Sequence, residues 1–312
     1  MESVPVVDLG DTEATNALRL ACGTSGFFHL VGHGVADELV QQMWDSSRAL
    51  FDLPLASKLC VAMPSPGYPY GYSPLAGERL AASIGYGGQP DLKESFAIGP
   101  VDPPTHTFVD ADEAFAWSAN IWPPEIAHFR QTWEAYFRAL SGLAALLLQR
   151  MAVALDLPPE WFDSSINRHT SALRALNYPA VPATLVGEGQ LGAGAHTDYG
   201  TLTILLADPD EMGLQVLSPD GSWHDIHPEP HGFVVNLGDA MARWTNDRWR
   251  STMHRVVVPK ARRQSIAFFH NANWDAVITC LPTCKPRGTI AKYPPIQAGP
   301  HLMSKFRSTV LD

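Results

Sequence analysis

The chain has 312 residues, of which 46% are hydrophobic and 17% charged, with a formal net charge of −10. That describes a globular chain of one large domain or two moderate ones, and an acidic balance with no basic run argues against a nucleic-acid partner. Four cysteines (Cys22, Cys60, Cys280, Cys284) are too few for a disulfide scaffold, so reduced thiols in a cytoplasmic setting are expected.

The first residues carry neither a basic start nor an apolar signal core. No apolar run looks as long as the roughly eighteen residues of a membrane span, so no membrane partner is expected. Residues 4–9 read as a short strand, and Asp11 introduces a helix to about residue 22. Residues 26–35 alternate a buried strand with glycine turns, where His29 and His33 read as structural histidines rather than ligands. A helix over 36–50 follows.

Residues 63–99 are rich in Pro, Gly and Tyr, which favours irregular chain, and 91–96 reads as strand. Tyr70, Tyr72, Lys93 and Phe96 either contact a bound molecule, as aromatic loops beside a pocket often do, or pack between the two halves. Pro123 and Pro124 fit the first turn of a long helix over 125–155. Its Phe129, Trp133, Phe137, Leu140, Leu143 and Leu147 recur at helical spacing and form a core stripe bracing a sheet. A short helix covers 161–167.

From 171 onward the chain turns to short strands separated by turn signals, Asp220-Gly221 among them, which predicts a sandwich or jelly roll. Within it His196-Thr197-Asp198 precedes a β-branched run. Residues i and i+2 of an extended chain share a face, so the imidazole and the carboxylate can reach one point. Alone, such a pair as readily caps a turn. His254 on a later strand would complete a two-histidine, one-carboxylate set, which suits Fe(II) with an open coordination face. Arg263 and Ser265 share one strand face in the same way, and a guanidinium fork with a hydroxyl suits capture of a carboxylate. His224, His227 and His231 lie near a turn and read as loop histidines.

The runs HTDYGTLTILL, WTNDRWRSTMHRVV and RQSIAFF, with VPVVDL, GFFHLVGHGV and LFDLPLASK near the start, resemble the Fe(II)/2-oxoglutarate-dependent oxygenases of the isopenicillin N synthase-like superfamily. The resemblance implies a mainly β fold with flanking helices (α+β). Its core would be a double-stranded β-helix, or jelly roll, over 171–285, after an N-terminal α/β region (1–120) and bracing helices (121–170), with a C-terminal tail and helix over 286–312.

It implies that His196, Asp198 and His254 bind Fe(II), that Arg263 and Ser265 hold the far carboxylate of 2-oxoglutarate, and that Tyr178 contacts the same cosubstrate. O2 and 2-oxoglutarate would be converted with succinate and CO2 as by-products while a small metabolite is hydroxylated, desaturated or cyclised. Asn177 and Leu176 replace a tyrosine and an asparagine usual in the family, which makes that wall more apolar.

Tyr72, Phe96, Leu176, Trp244 and His270 are the expected substrate contacts. The protein would act as a monomer or weak homo-oligomer. An iron oxidase of the same fold that does without 2-oxoglutarate remains open, as does a non-catalytic small-molecule-binding jelly roll. A zinc hydrolase would leave Arg263 and Ser265 without a role.

Overall fold

The computed structural model describes residues 4–65, 67–81, 89–105, 107–182, 184 and 186–307. Four strands come from the first third: β1 (Val6–Asp8), β2 (Phe27–Val31), β3 (Gly71–Ser73) and β4 (Glu94–Ile98). Ten more follow, namely β5 (Ala172–Tyr178), β6 (Ala193–His196), β7 (Leu202–Leu206), β8 (Leu214–Leu217), β9 (Trp223–Asp225), β10 (Phe233–Leu237), β11 (His254–Val256), β12 (Arg263–His270), β13 (Val277–Ile278) and β14 (Ile296–Gln297). The helices are α1 (Ala14–Thr24), α2 (Asp37–Asp52), α3 (Leu55–Leu59), α4 (Ala111–Ala116), α5 (Phe129–Ala154), α6 (Asp163–Ile166), α7 (Asp239–Trp244) and α8 (Ala298–Arg307).

An eight-stranded sheet in the order β1-β2-β10-β7-β12-β5-β4-β3 lies against a four-stranded sheet, β6-β11-β8-β9. This is the jelly-roll fold expected from the sequence, with flanking helices. The N-terminal strands extend both edges of the large sheet, so β1–β4 share one hydrogen-bonded layer with β5, β7, β10 and β12. Strand parity then assigns the faces. On β5, Leu173 and Ala175 join the core under the helices, whereas Leu176 and Tyr178 pack with Val216 and Val256 of the small sheet in a second core.

Helix α5 packs on the helix-side face, where Trp133, Tyr136, Leu140, Leu147 and Met151 are fully buried, and α1 and α2 pack against it. It starts later than the paired prolines suggested. Residues 124–128 form turns, and His128 caps the helix in the left-handed region at φ 59°. By length and composition α5 could also cross a membrane, so the expectation that no run was long enough is corrected. Half of its apolar window is buried inside the fold.

Helix α1 runs Ala14–Thr24 rather than from Asp11, whose Oδ1 instead accepts the Glu13 amide in the preceding turn. The predicted C-terminal helix is present as α8, and residues 308–312 lie outside the described residues. All four cysteines are free thiols.

Candidate functional site

Between the two sheets lies a cavity of about 270 Å³, a size that admits small molecules. His196 ends β6 and His254 begins β11, and the two are direct cross-strand partners. Antiparallel pairing therefore closes their long separation in sequence. Their Nε2 atoms lie 3.8 and 3.7 Å from Asp198 Oδ1. One ligand atom from each of the three residues falls within 4.8 Å of the others.

The remaining atoms of these side chains are fixed by the fold. His196 Nδ1 bonds the Gly194 carbonyl at 2.7 Å, and His254 Nδ1 bonds the Thr252 carbonyl at 3.1 Å. Such bonds place the proton on Nδ1 and turn Nε2 inward as a lone-pair donor. Asp198 Oδ2 accepts from Thr203 Oγ1 at 2.6 Å and Asn236 Nδ2 at 2.7 Å, leaving Oδ1 for the cavity. Thr203 and Asn236 are cross-strand partners on β7 and β10, so the large sheet orients a carboxylate that the small sheet's loop supplies.

Burial, helped by the neighbouring His254 ring, pushes the His196 imidazole down to about 4, so it stays neutral at pH 7. Burial alone would raise the Asp198 carboxyl, but the two imidazoles and its two donors hold it below the usual carboxylate range. Two imidazoles and one carboxylate, with no thiolate, form a donor set that suits Fe(II).

Arg263, Ser265 and Tyr178 all face the cavity. Arg263 pairs in register with Tyr178 and Ser265 with Leu176. The Arg263 guanidinium lies 5.1 Å from the Tyr178 ring centroid and donates a long 3.4 Å bond to Ser265 Oγ. Arg263 is only 2% exposed, and its Nε has no hydrogen-bond partner. A buried cation with an idle donor is costly unless an anion meets it. The His-Asp-His donors would therefore fit a metal ion, and Arg263 with Ser265 would fit a carboxylate in the same cavity.

Of the expected substrate contacts, Leu176 lines the cavity, as do Tyr70 and Lys93. The structure does not bring Tyr72, Phe96, Trp244 or His270 there. Phe96 pairs with Ala175 and Tyr72 with Phe96, which puts both on the helix-side face. Phe96 packs edge-on against Phe129 and Trp133, and the Tyr72 hydroxyl bonds Glu94. His270 has the opposite strand parity to Phe269 and is held by Thr201 Oγ1 at 2.7 Å. Trp244 closes α7 and packs on Phe162.

His33 bonds the His231 carbonyl and tilts over Phe233, a structural role. Thr203, Asn236, Arg174 and Glu78, which are missing from the sequence expectations, all line the cavity. Asn236 stands alone as a polar residue in the otherwise apolar strand β10, and that was the available signal for it.

Residues 164–272 match the family model of the 2OG-Fe(II) oxygenase superfamily, and residues 4–125 match that of the non-haem dioxygenase in morphine synthesis N-terminal region. The chain is 37% identical over 284 residues to a 2-oxoglutarate-Fe(II) type oxidoreductase of Emericella nidulans, covering 89% of this chain and 80% of the relative. It is 35% identical to validamycin A dioxygenase of Streptomyces hygroscopicus subsp. limoneus, over 97% of this chain and 86% of that protein. Among solved structures it is similar to a full-length Neurospora crassa protein crystallised in complex with alpha-KG and thymine. The TM-score is 0.84 and the identity 31%, over 98% of this chain and 96% of that one.

Proposed function

The chain belongs to the 2OG-Fe(II) oxygenase superfamily and is a 2-oxoglutarate-dependent dioxygenase acting on a small metabolite; from that premise we propose which of its side chains do the work. His196, Asp198 and His254 hold Fe(II). Arg263 and Ser265 hold the far carboxylate of 2-oxoglutarate, and Tyr178 flanks it. The observation that carries the assignment is the buried guanidinium of Arg263, short of a partner and sharing a cavity with the His-Asp-His cluster.

Bound Fe(II), with O2 and 2-oxoglutarate, supplies the redox chemistry that oxidises the substrate, releasing succinate and CO2. The protein's part is positioning and exclusion of water. Thr203 and Asn236 lock the carboxylate, and the Gly194 and Thr252 carbonyls lock the imidazoles. The Phe27 ring meets His254 edge-on at 5.4 Å and closes that side with apolar surface.

Residues 1–120 and 121–170 serve as the flanking and bracing segments, 171–285 as the catalytic core and 286–312 as the tail. The free thiols and a ferrous metal suit a reducing cytoplasm, and the chain works as a monomer or weak homo-oligomer. An oxidase that does without 2-oxoglutarate and a non-catalytic receptor are both set aside by the 2-oxoglutarate-dependent relatives.

Anaerobic addition of Fe(II) and 2-oxoglutarate to the purified chain should produce the visible absorption band of an iron–keto-acid complex. The band should vanish in His254→Ala and weaken strongly in Arg263→Leu. An unchanged band in both variants refutes the assignment.

A further inference from the structure

The cavity wall beyond the metal carries a second polar group that the catalytic assignment leaves unused. Arg174 Nη1 and Nη2 lie 3.0 and 2.8 Å from the two oxygens of Glu78, a two-point pair. Lys93 Nζ lies 3.3 Å from Glu78 Oε2 and 2.7 Å from Asp91 Oδ2. Burial by itself would raise the Glu78 carboxyl, but Arg174 and Lys93 outweigh it and hold it down at about 2. Asp91 is further tied by the Leu80 and Gly194 amides. The four side chains therefore form one cluster of matched opposite partners, two basic and two acidic.

The charges close in two separate sets. Lys93 and Arg174 balance Glu78 and Asp91. Asp198 and Arg263 balance one another, and Fe(II) balances doubly ionised 2-oxoglutarate, a step that rests on the reading proposed above. Among the described residues no other lysine, arginine, aspartate or glutamate lines the cavity. A substrate with a net charge would enter this low-dielectric space without a counter-ion, which is strongly unfavourable.

The pair also has unused valence. A guanidinium has five N–H donors, and Glu78 takes two from Arg174. Among the described residues Glu78 Oε2 accepts twice and Oε1 once, so Oε1 keeps one acceptor site beside an Nη2 hydrogen that no described residue takes. We infer that the primary substrate is a net-neutral molecule presenting an amide-type edge, a carbonyl next to an N–H, to the Arg174–Glu78 pair. Both are positioned to orient the substrate and neither touches the metal ligands.

The test uses the full chain with Fe(II) and 2-oxoglutarate under anaerobic conditions. Appearance of the iron–keto-acid band reports on the catalytic assignment alone; its absence would sink that assignment and this inference with it. Probes of matched skeleton are then added in pairs: nicotinamide with nicotinate, indole-3-acetamide with indole-3-acetate, and thymine with uracil-5-carboxylate. The neutral member of at least one pair should shift the band, and its acid partner at equal concentration should not.

Arg174→Gln should weaken the neutral probe about tenfold while the band persists, since a hydrogen bond to a charged group is lost. Glu78→Gln leaves one surplus positive charge and should move the preference about tenfold or more towards the acid partner. Acid partners shifting the wild-type band, silence of every neutral probe, or an unmoved preference in folded Glu78→Gln would each overturn the inference. If a variant fails to fold, the wild-type pairs decide alone.

Discussion

Asp198 shows how much a single side chain at this site depends on its neighbours. One oxygen faces the cavity while the other is held by Thr203 and Asn236. Groups of this kind typically change metal affinity ten- to a hundredfold when removed. Thr203→Val should accordingly lower Fe(II) affinity by at least about tenfold in a chelator competition, with thermal unfolding little changed. An affinity equal to wild type would show that Asn236 alone suffices. Arg263 makes a different demand, because its cavity neighbours leave Nε free. Arg263→Lys keeps the charge and loses the fork, so KM for 2-oxoglutarate should rise tenfold or more with a smaller change in kcat. Steady-state succinate formation measures both.

At the scale of elements, α5 and the strands beneath it set the stability of the platform. Leu140 is fully buried in the core shared by α5 and the large sheet. Leu140→Ala should cost about 2–5 kcal/mol in urea unfolding. Iron and 2-oxoglutarate affinities should survive, since the cavity is on the sheet's other face.

His169, just before β5, and His270, at the end of β12, lie with ring centroids 5.0 Å apart and planes tilted by 46°. Burial lowers the first to about 4 and the second well below its ordinary value. An unfolded histidine binds its proton near pH 6.5, so below that the unfolded state holds more protons than the folded one. Stability should therefore be full above pH 6.5 and fall as pH drops towards 4, by up to about 3 kcal/mol from His169. Urea titrations at pH 7.5 and pH 5 measure the slope. His169→Phe should flatten it, and an equally steep slope in that variant would remove His169 as its source.

Taken as a whole molecule, the chain brings helix α8 back against the cavity. Leu302, Met303 and Phe306 of α8 line it. Phe306 packs on Phe115 of α4 at 5.9 Å, and Arg307 pairs with Asp112. Lys305 reaches Asp239 at 3.3 Å. Gly299 is required where α8 meets Trp274, because a Cβ there would lie 2.2 Å from the indole ring. Deleting residues 298–312 should leave the iron–keto-acid band intact. It should also raise the substrate KM and let 2-oxoglutarate be consumed without matching substrate oxidation, as water enters. Gly299→Val should do the same in milder form. The succinate-to-product ratio reads this directly, and a ratio of one in the truncated chain would show that α8 does not guard the pocket.

Local pattern predicted a sandwich or jelly roll, the family resemblance narrowed it to the jelly roll, and period-two spacing set His196 with Asp198 and Arg263 with Ser265 on shared faces. Those pairs were legible because a strand carries i and i+2 to one side whatever surrounds it. Cross-strand register was not local. Phe96, Tyr72 and His270 look as suited to a pocket as Leu176 does, yet a one-residue difference in parity sends them under the helices. The same register put Asn236 beside Thr203 behind Asp198. The fold also brought Glu78, from irregular chain, against Arg174 on β5. Folding had to settle these partnerships, because each joins residues whose separation along the backbone says nothing about their separation in space.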